Sequence, residues 1–247
     1  MSKNFKKENF GSQKQHVLYG RHAVLAALTN PKRKISKLLC TKESFEDVAA
    51  FDRVRPQIVE KKEIDKLLPA EAVHQGLALY CSRLENASLE EIIEIADGKE
   101  KCHVLILDQV TDPQNVGAII RSAVAFNTLA LIVQDKNSPL ESGAMAKASA
   151  GMIECLPIVR VTNISRAIEK LKNAGFWTVG MDGYAKITID KLNKNGKTAF
   201  VMGSEGKGMR RLVEENCDIS VKLPMSEKVE SLNVATAAAI ALYEISK

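Results

Sequence analysis

Short apolar segments alternate with helical segments along the second half of the chain, and this alternation restricts the fold more than any other feature. Strands are predicted at 103–108, 129–134, 176–181, 198–203 and 219–223. Helices are predicted between them, at 116–126, 141–149, 164–174 and 207–215, with a last helix over 232–246. Strands that are apolar on both faces and separated by helices indicate an α/β fold with a largely parallel sheet covered on both sides.

The first hundred residues have a different pattern. Residues 1–15 are polar, rich in lysine and without periodicity, and we expect a disordered tail. Residues 16–83 read as a small α/β unit, which includes a helix predicted over 44–51. The Glu-rich stretch 84–101, with one short helix at 89–96, is interpreted as a linker to the unit over 102–247.

Composition is that of an ordinary globular protein. The 247 residues include 35 Lys plus Arg against 30 Asp plus Glu, a mild basic excess that is compatible with a polyanionic partner but does not demand one. The five cysteines are dispersed, so neither a disulfide framework nor a metal site is indicated. No apolar run is long enough to span a bilayer and no signal-peptide core is present, so we expect a cytoplasmic protein with no membrane partner.

Three segments at the ends of apolar strands are candidates for chemistry, because ligands of parallel sheets bind at that edge. In the first, NVGAIIR at 115–121, Asn115 is placed to cap the following helix and Arg121 points away from its apolar face. Taken alone, Asn115 is most often a cap and Arg121 a solvated side chain.

The second segment is the glycine-rich turn GSEGKG at 203–208. It fits neither a phosphate loop nor a dinucleotide fingerprint, so it is a tight turn of another type. Glu205 stands inside the turn, an unusual place for a purely structural carboxylate. Lys207, Arg210 and Arg211 follow, and the sequence leaves open whether they form a solvated face or contact phosphates.

The third segment, LPMSEKVESLNV at 223–234, leads into an alanine-rich helix. Ser231 is predicted to start that helix, with Asn233 beside it at the end where free N–H groups collect. A helix of such small apolar residues must be buried almost all round, in a core or a subunit interface.

In this order and spacing, NVGAIIR, GSEGKG and LPM…SLNV resemble the SpoU/TrmH family of RNA ribose 2′-O-methyltransferases, within the SPOUT superfamily. The resemblance covers about residues 18–246. Segments such as HQGLAL at 74–79 and TDPQNVGA at 111–118 are similar to the branch that methylates a guanosine of large-subunit ribosomal RNA. Gln109 and Gln114 depart from that branch, in which glycine and histidine are frequent.

The resemblance implies a C-terminal SPOUT domain with a deep trefoil knot and a small N-terminal L30e-like domain that binds RNA. It implies S-adenosylmethionine as cofactor, a homodimer, no metal, and as substrate a structured RNA such as 23S rRNA or a pre-50S particle. Carried over by position, the catalytic residues are Arg121, Asn115, Glu205, Ser231 and Asn233. The cofactor-binding residues are Gly203, Leu223, Met225 and Leu232.

Three alternatives remain open from the sequence. The ribose could belong to a transfer RNA, the methyl group could go to a base instead, or the chain could be a non-catalytic RNA-binding factor in ribosome assembly. The presence of Asn115, Arg121, Glu205, Ser231 and Asn233 together argues against the non-catalytic reading.

Overall fold

A computed structural model describes residues 16–193, 195–226 and 228–247, which form two β-sheets with helices packed on them. The tail predicted over 1–15 lies outside the described residues. The first sheet has four strands in the order β1-β4-β2-β3. They are β1 (His16–Tyr19), β2 (Ile35–Cys40), β3 (Pro56–Ile58) and β4 (Leu77–Cys81), accompanied by helices α1 (Arg21–Thr29) and α2 (Lys61–Asp65).

The helix predicted over 44–51 is wrong, because the chain forms a series of turns there. Ser44 explains the difference. Its hydroxyl donates to the carbonyl of Gly76 (2.8 Å) and accepts from the backbone N–H of Thr41 (3.0 Å). Serine side chains that bond to nearby backbone groups in this way compete with helix formation.

The second sheet has seven strands, all parallel, in the order β7-β6-β5-β10-β8-β11-β9. They are β5 (Cys102–Leu107), β6 (Leu131–Gln134), β7 (Ile158–Val161), β8 (Phe176–Met181), β9 (Ile187–Thr188), β10 (Lys197–Met202) and β11 (Ile219–Lys222). This confirms the predicted α/β fold with a parallel sheet. The two strands that the apolar pattern did not predict, β7 and β9, are the edge strands, where a continuous apolar run is not required.

Helices cover both faces of this sheet, and alternate residues of each strand enter the two cores. Val104 and Ile106 of β5 face one core, while Leu105 and Leu107 face the other. On the first side lie α3 (Leu89–Asp97), α6 (Ile164–Asn173) and α7 (Arg211–Glu215). On the second side lie α4 (Pro113–Ala125), α5 (Gly143–Ala148) and α8 (Val234–Ser246).

The segment 84–101, expected to be a linker, packs on the seven-stranded sheet. Its helix α3 buries Leu89, Ile92 and Ala96 in the same core as Val104 and Ile106. Ala87 also forms a parallel bridge to Val159 of β7. The charged residues that suggested a linker lie on the outer face of α3, whose apolar stripe is typical of a helix lying on a sheet.

A buried ionic cluster joins the N-terminal unit to the unit that contains the seven-stranded sheet. The Arg33 side chain is fully buried and lies 2.6 Å from a carboxylate oxygen of Glu141, and it also pairs with Glu154. His16 reaches the same Glu141 carboxylate at 2.9 Å. Around the cluster the backbones approach closely: a Cβ at Gly143 would lie 2.6 Å from the Tyr19 ring. The α5 segment is therefore the main contact between the N-terminal unit and the larger sheet.

Candidate functional site

The start of α4 is set by Asp112 and Pro113. The Asp112 carboxylate accepts hydrogen bonds from the backbone N–H groups of Gln114 (3.1 Å) and Asn115 (3.2 Å), and Pro113 occupies the first turn. Asp112 is thus the N-cap, and the prediction that Asn115 caps this helix is wrong. An acidic cap before proline is a favourable helix start, because proline lacks the N–H that would need a partner. The Asn115 side chain is left available for another contact.

That contact is with Asn233. The Asn233 amide nitrogen donates to the Asn115 side-chain oxygen at 3.0 Å, which joins residues 118 positions apart in the chain. The other end of the Asn233 amide accepts from the backbone N–H groups of Ala235 (2.9 Å) and Thr236 (3.4 Å). Asn233 is therefore the N-cap of α8, and Ser231, predicted to start that helix, lies exposed before it.

The Asn115–Asn233 pair lies in a concave pocket of about 560 Å³ between the N-terminal parts of α4 and α8. Polar side chains surround one part of it and small alanine side chains form the rest. The lining residues are Asp112, Gln114, Asn115, Ala118, Ser122, Ala148, Asn233, Ala235, Thr236 and Ala239. The alanines allow a ligand to come close to the two helix backbones.

The glycine-rich turn follows β10 and folds back on its own start. The backbones of Ser204 and Gly208 exchange two hydrogen bonds, of 3.1 and 2.9 Å, which closes the turn. A Cβ on Gly203 would lie 2.0 Å from the carbonyl carbon of Gly208, so only glycine fits at that position. Gly206 and Gly208 have positive φ angles of 80° and 65°, a conformation that glycine adopts without steric cost.

A buried carboxylate that the sequence motifs did not indicate anchors this turn. Asp108, at the end of β5, is fully buried, and its side chain accepts from the Arg210 backbone N–H (2.8 Å) and Nε (2.9 Å). Arg210 is therefore held by an acidic partner, which answers part of the question that the sequence left open. The available signal was an acidic residue directly after the apolar run 104–107, where a buried charge requires a partner.

Arg121 and Glu205 do not contact each other within one chain. Arg121 is exposed. It precedes the pocket residue Ser122 and lies two helical turns after the pocket residue Gln114, so its Cα is on the helix face that borders the pocket. Glu205 is exposed within the glycine-rich turn. Across the described part of the chain, no hydrogen bond or ion pair joins the two side chains.

The residues expected to bind a cofactor lie in the loops after β10 and β11. Leu223 is buried and Leu232 is partly buried against the larger core, whereas Met225 is 39% exposed. Gly203 begins the turn after β10. Both loops leave the same edge of the sheet, since β10 and β11 are parallel and flank β8. The side chains of Leu223, Met225 and Leu232 are apolar. A cluster of acidic, histidine or cysteine residues suited to a metal is not found in residues 16–193, 195–226 and 228–247.

Comparison with known proteins decides the family. Residues 103–243 match the SpoU rRNA Methylase family, and residues 17–87 match the family described as RNA 2′-O ribose methyltransferase substrate binding. The chain is a SpoU-family protein. The resemblance inferred from NVGAIIR, GSEGKG and LPM…SLNV is thereby confirmed.

Relatives align along nearly the whole chain. The 23S rRNA (guanosine-2′-O-)-methyltransferase RlmB of Pseudomonas aeruginosa is 38% identical over 238 residues, which cover 92% of this chain and 94% of the relative. RlmB of Pseudomonas syringae is 37% identical over 237 residues, with 92% and 93% covered. These coverages show that the SpoU-family chain matches its relatives along almost their full lengths and not over one shared domain alone.

A solved structure shows the same fold. The SpoU methyltransferase AviRb of Streptomyces viridochromogenes, in complex with AdoMet, superimposes with a TM-score of 0.79 at 21% identity and covers 94% of this chain and 89% of its own. In the described ranges of the SpoU-family chain, no helix is long and apolar enough to cross a membrane.

Proposed function

We propose that this SpoU-family protein transfers a methyl group from S-adenosylmethionine to the 2′-hydroxyl of a guanosine ribose in large-subunit ribosomal RNA. The observation that carries the proposal is the Asn115–Asn233 hydrogen bond, which brings the first and third motifs together in one pocket. The assignment to ribosomal RNA draws on the two relatives named as 23S rRNA guanosine-2′-O-methyltransferases, which align over 92% of the chain.

The cofactor would be held by the loops that contain Gly203, Leu223, Met225 and Leu232. The fit rests on the glycine turn, where no atom lies within 4 Å of the place that a Cβ would occupy on Gly206 or Gly208. Backbone groups can approach a ligand there without obstruction. When bound, S-adenosylmethionine supplies an activated methyl group. The deep trefoil knot expected of the SPOUT superfamily belongs to this proposal and would bring these loops against one another.

The protein's own part in the reaction is alignment and charge stabilisation. Arg121, at the pocket rim, would hold the phosphate next to the target ribose and stabilise negative charge that develops on the 2′-oxygen. The paired amides of Asn115 and Asn233 would fix the pocket floor. Ser231 and Glu205, both exposed, would orient the ribose and Arg121 respectively.

A second copy of the chain would complete the site. Within one chain Arg121 and Glu205 do not meet, and α8 exposes Ile240 and Tyr243, so a homodimer that covers α8 would bring the two groups together. Residues 16–83 would form the L30e-like RNA-binding domain and 102–247 the catalytic domain, with 84–101 between them. We place the activity in the cytoplasm, where ribosomal RNA is modified.

The test is incubation of the protein with labelled S-adenosylmethionine and an unmodified 23S rRNA transcript, followed by digestion to nucleosides. Label on a 2′-O-methylguanosine supports the proposal, whereas label on a base contradicts it. If only transfer RNA is labelled, the ribose chemistry stands and the substrate is corrected. Binding of RNA and cofactor without transfer to transcript, transfer RNA or pre-50S particle favours the assembly-factor reading.

Arg121→Lys separates the proposed role of Arg121 from that of a simple positive charge. Lysine keeps the charge but lacks the planar pair of donors that matches a phosphate. We expect turnover to fall by about a hundredfold, in the range measured when a charge-stabilising donor is removed. Cofactor affinity should be unchanged, and near-normal turnover of this variant would contradict the role.

A further inference from the structure

Asp108 and Arg210 form an anion–cation pair at the edge of the candidate site, between neighbouring strands. Asp108 directly follows β5, and Arg210 follows the turn that leaves β10, which pairs with β5 in register up to Met202 and Leu107. The Asp108 carboxylate accepts from Arg210 Nε at 2.9 Å and lies 2.7 Å from Nη2. The Asp108 backbone N–H continues the ladder by donating to the carbonyl of Met202 at 2.8 Å. Both the main chain and the side chain of Asp108 are thus bonded to β10 or to the turn that follows it.

The geometry of the pair defines where the turn ends. The Asp108 side chain is fully buried, and a buried carboxylate is stable only when a cation and hydrogen bonds compensate its charge. Because Arg210 supplies its backbone N–H as well as its guanidinium, both the main chain and the side chain of Arg210 are fixed. Arg210 is also the N-cap residue of α7, so the pair fixes the start of that helix.

Two sets of contacts therefore hold the glycine-rich turn. The Ser204–Gly208 hydrogen bonds and the close packing of Gly203 determine its shape. The Asp108–Arg210 pair determines its orientation relative to β5, the strand that leads to α4 and Asn115. A turn with the correct shape but a different orientation would present its backbone groups to the wrong place.

We propose that Asp108 is a positioning residue for the cofactor-binding turn and acts through Arg210, which is not a phosphate contact for RNA. This inference rests on the proposed function, because it takes the turn at 203–208 as part of the cofactor site. Arg210 directs two of its donors inward to Asp108, whereas a phosphate ligand needs its planar fork free. Arg211, next in sequence, is exposed, and within the described part of the chain its ion pair is with Glu215 on its own helix, at 3.7 Å.

The experiment measures binding of S-adenosylmethionine by calorimetry in the absence of RNA, for Asp108→Asn, Arg210→Gln and the matched control Arg211→Gln. In Asp108→Asn the negative charge is lost and one of the two acceptor oxygens becomes an N–H₂ donor, so the ion pair is broken with little change of volume. Loss of charged hydrogen bonds should weaken cofactor binding by about tenfold or more in both variants of the pair. Arg211→Gln should bind the cofactor as the wild type does.

The double variant Asp108→Asn/Arg210→Gln shows whether the two residues act as one unit. If Asp108 acts through Arg210, the double variant loses no more cofactor affinity than whichever single variant binds the cofactor less tightly. Arg210→Lys adds a further readout. Lysine restores the positive charge and with it the melting temperature, but it lacks the fork that fixes orientation, so cofactor binding stays weak.

Affinity for the 23S rRNA transcript, measured at several salt concentrations, tests the other role of Arg210. We expect Arg210→Gln to keep the wild-type affinity and salt dependence. A decrease of about one in the slope of log affinity against log salt, with normal cofactor binding, would show a phosphate contact and overturn the inference. Normal cofactor binding by both variants of the pair would also overturn it.

These outcomes differ from a failure of the proposed function. If wild-type protein binds no S-adenosylmethionine, the proposed function fails and the inference fails with it. If wild type methylates the ribose while Asp108→Asn and Arg210→Gln behave normally, only the inference fails. The double variant Asp108→Asn/Arg210→Gln serves as the safeguard where a single variant does not fold, because it leaves neither a buried carboxylate without its cation nor an arginine without its carboxylate.

Discussion

At the scale of single residues, the Asn233 side-chain amide makes two different contacts, a helix cap and a hydrogen bond to a residue of the first motif. Its oxygen caps α8 and its nitrogen binds Asn115. The two ends of the amide are not interchangeable, because only the oxygen can accept from the backbone of Ala235 and Thr236. The orientation of the amide nitrogen toward Asn115 follows from the cap.

Asn233→Asp separates these two roles. Aspartate is as good a helix cap as asparagine, so the free energy of unfolding should change by less than about 0.5 kcal/mol. The donor to Asn115 is lost, however, and methyl transfer should fall. Asn233→Ala should lose the activity and also about 1 kcal/mol of stability. Urea unfolding and single-turnover methylation measure the two effects, and an active Asn233→Asp enzyme would show that the bond to Asn115 has no functional role.

Gln109 has a backbone conformation that a side chain disfavours. Its φ angle is 61°, in the left-handed region where glycine is favoured. The resemblance led us to expect glycine at this position, and the positive φ gives a physical reason for that expectation. The preceding residue, Asp108, is fixed by hydrogen bonds to Arg210, and a left-handed residue other than glycine persists only where surrounding contacts hold it.

At the scale of elements, the glycine-rich turn depends on one steric contact. Gly203→Ala would place a Cβ 2.0 Å from Gly208 and 2.2 Å from the Met209 nitrogen, and both contacts are backbone atoms that a side-chain rotation cannot relieve. The turn must open, which displaces the candidate cofactor site. A displacement of about 1 Å can lower turnover by about a hundredfold, and we expect a loss of that order.

Gly98→Ala is the matched control for Gly203→Ala. Gly98 has a φ angle of −78°, and no atom lies within 4 Å of the place that an alanine Cβ would occupy, so alanine is accommodated without strain. Circular dichroism shows whether both variants fold, and calorimetry measures their cofactor affinity. If Gly203→Ala binds the cofactor as well as Gly98→Ala does, the turn is not part of the cofactor site.

Sequence patterns predicted the central strands of the large sheet because those strands are apolar on both faces. Edge strands β7 and β9 escaped prediction, since an edge strand is covered less completely. At the site, motif order indicated that Asn115 and Asn233 belong together, but the hydrogen bond between them depends on tertiary structure. The Asp108–Arg210 pair was missed for the same reason, because its partners are 102 residues apart.

At the scale of the whole molecule, the buried cluster around Arg33 joins the two units more firmly than a flexible linker would. Arg33 also donates to the carbonyl of Ser82 at 2.8 Å, next to the segment that connects the units. Glu141 additionally accepts from the backbone N–H of Leu84 at 2.8 Å. One charged cluster therefore contacts the segment that connects the units, the N-terminal unit itself and the residues around α5.

Arg33→Met removes the cation and leaves Glu141 and Glu154 buried without it. Breaking a buried ion pair from one side costs about 3–5 kcal/mol, and we expect a loss of that size in the free energy of unfolding. The triple variant Arg33→Met/Glu141→Gln/Glu154→Gln should recover most of this loss, because no uncompensated charge remains. Urea denaturation measures both, and equal stability of wild type and Arg33→Met would show that the cluster does not form.

The same cluster predicts the acid sensitivity of the protein. Burial opposes the charged form of Glu141, but the bond from His16, the charge of Arg33 and the backbone N–H of Leu84 outweigh it and lower the pKa of Glu141 below its usual 4.5. A lowered pKa in the folded state means that the stabilisation is complete above the unfolded pKa and is lost as the pH falls through the folded one.

We therefore expect little change from Glu141 between pH 7 and about 5, and a loss of stability below that range. Glu141→Gln should be less stable than wild type at pH 7, because Arg33 loses a partner, but its stability should decline less steeply in acid. Thermal unfolding of both proteins between about pH 7 and 3 gives the comparison. Parallel curves for the two proteins would contradict the assigned pKa shift.

Strand β10 occupies the middle of the large sheet although it is made later than the neighbours on both sides of it, β5 and β8. During synthesis, the edges of β5 and β8 that pair with β10 stay unpaired until residues 197–202 have left the ribosome. At elongation rates of about 5–20 residues per second, the edge of β5 is open for about 5–20 s. Open strand edges attract other chains. The nascent chain is thus more exposed to aggregation than the finished protein, and production at low rates of synthesis extends that period.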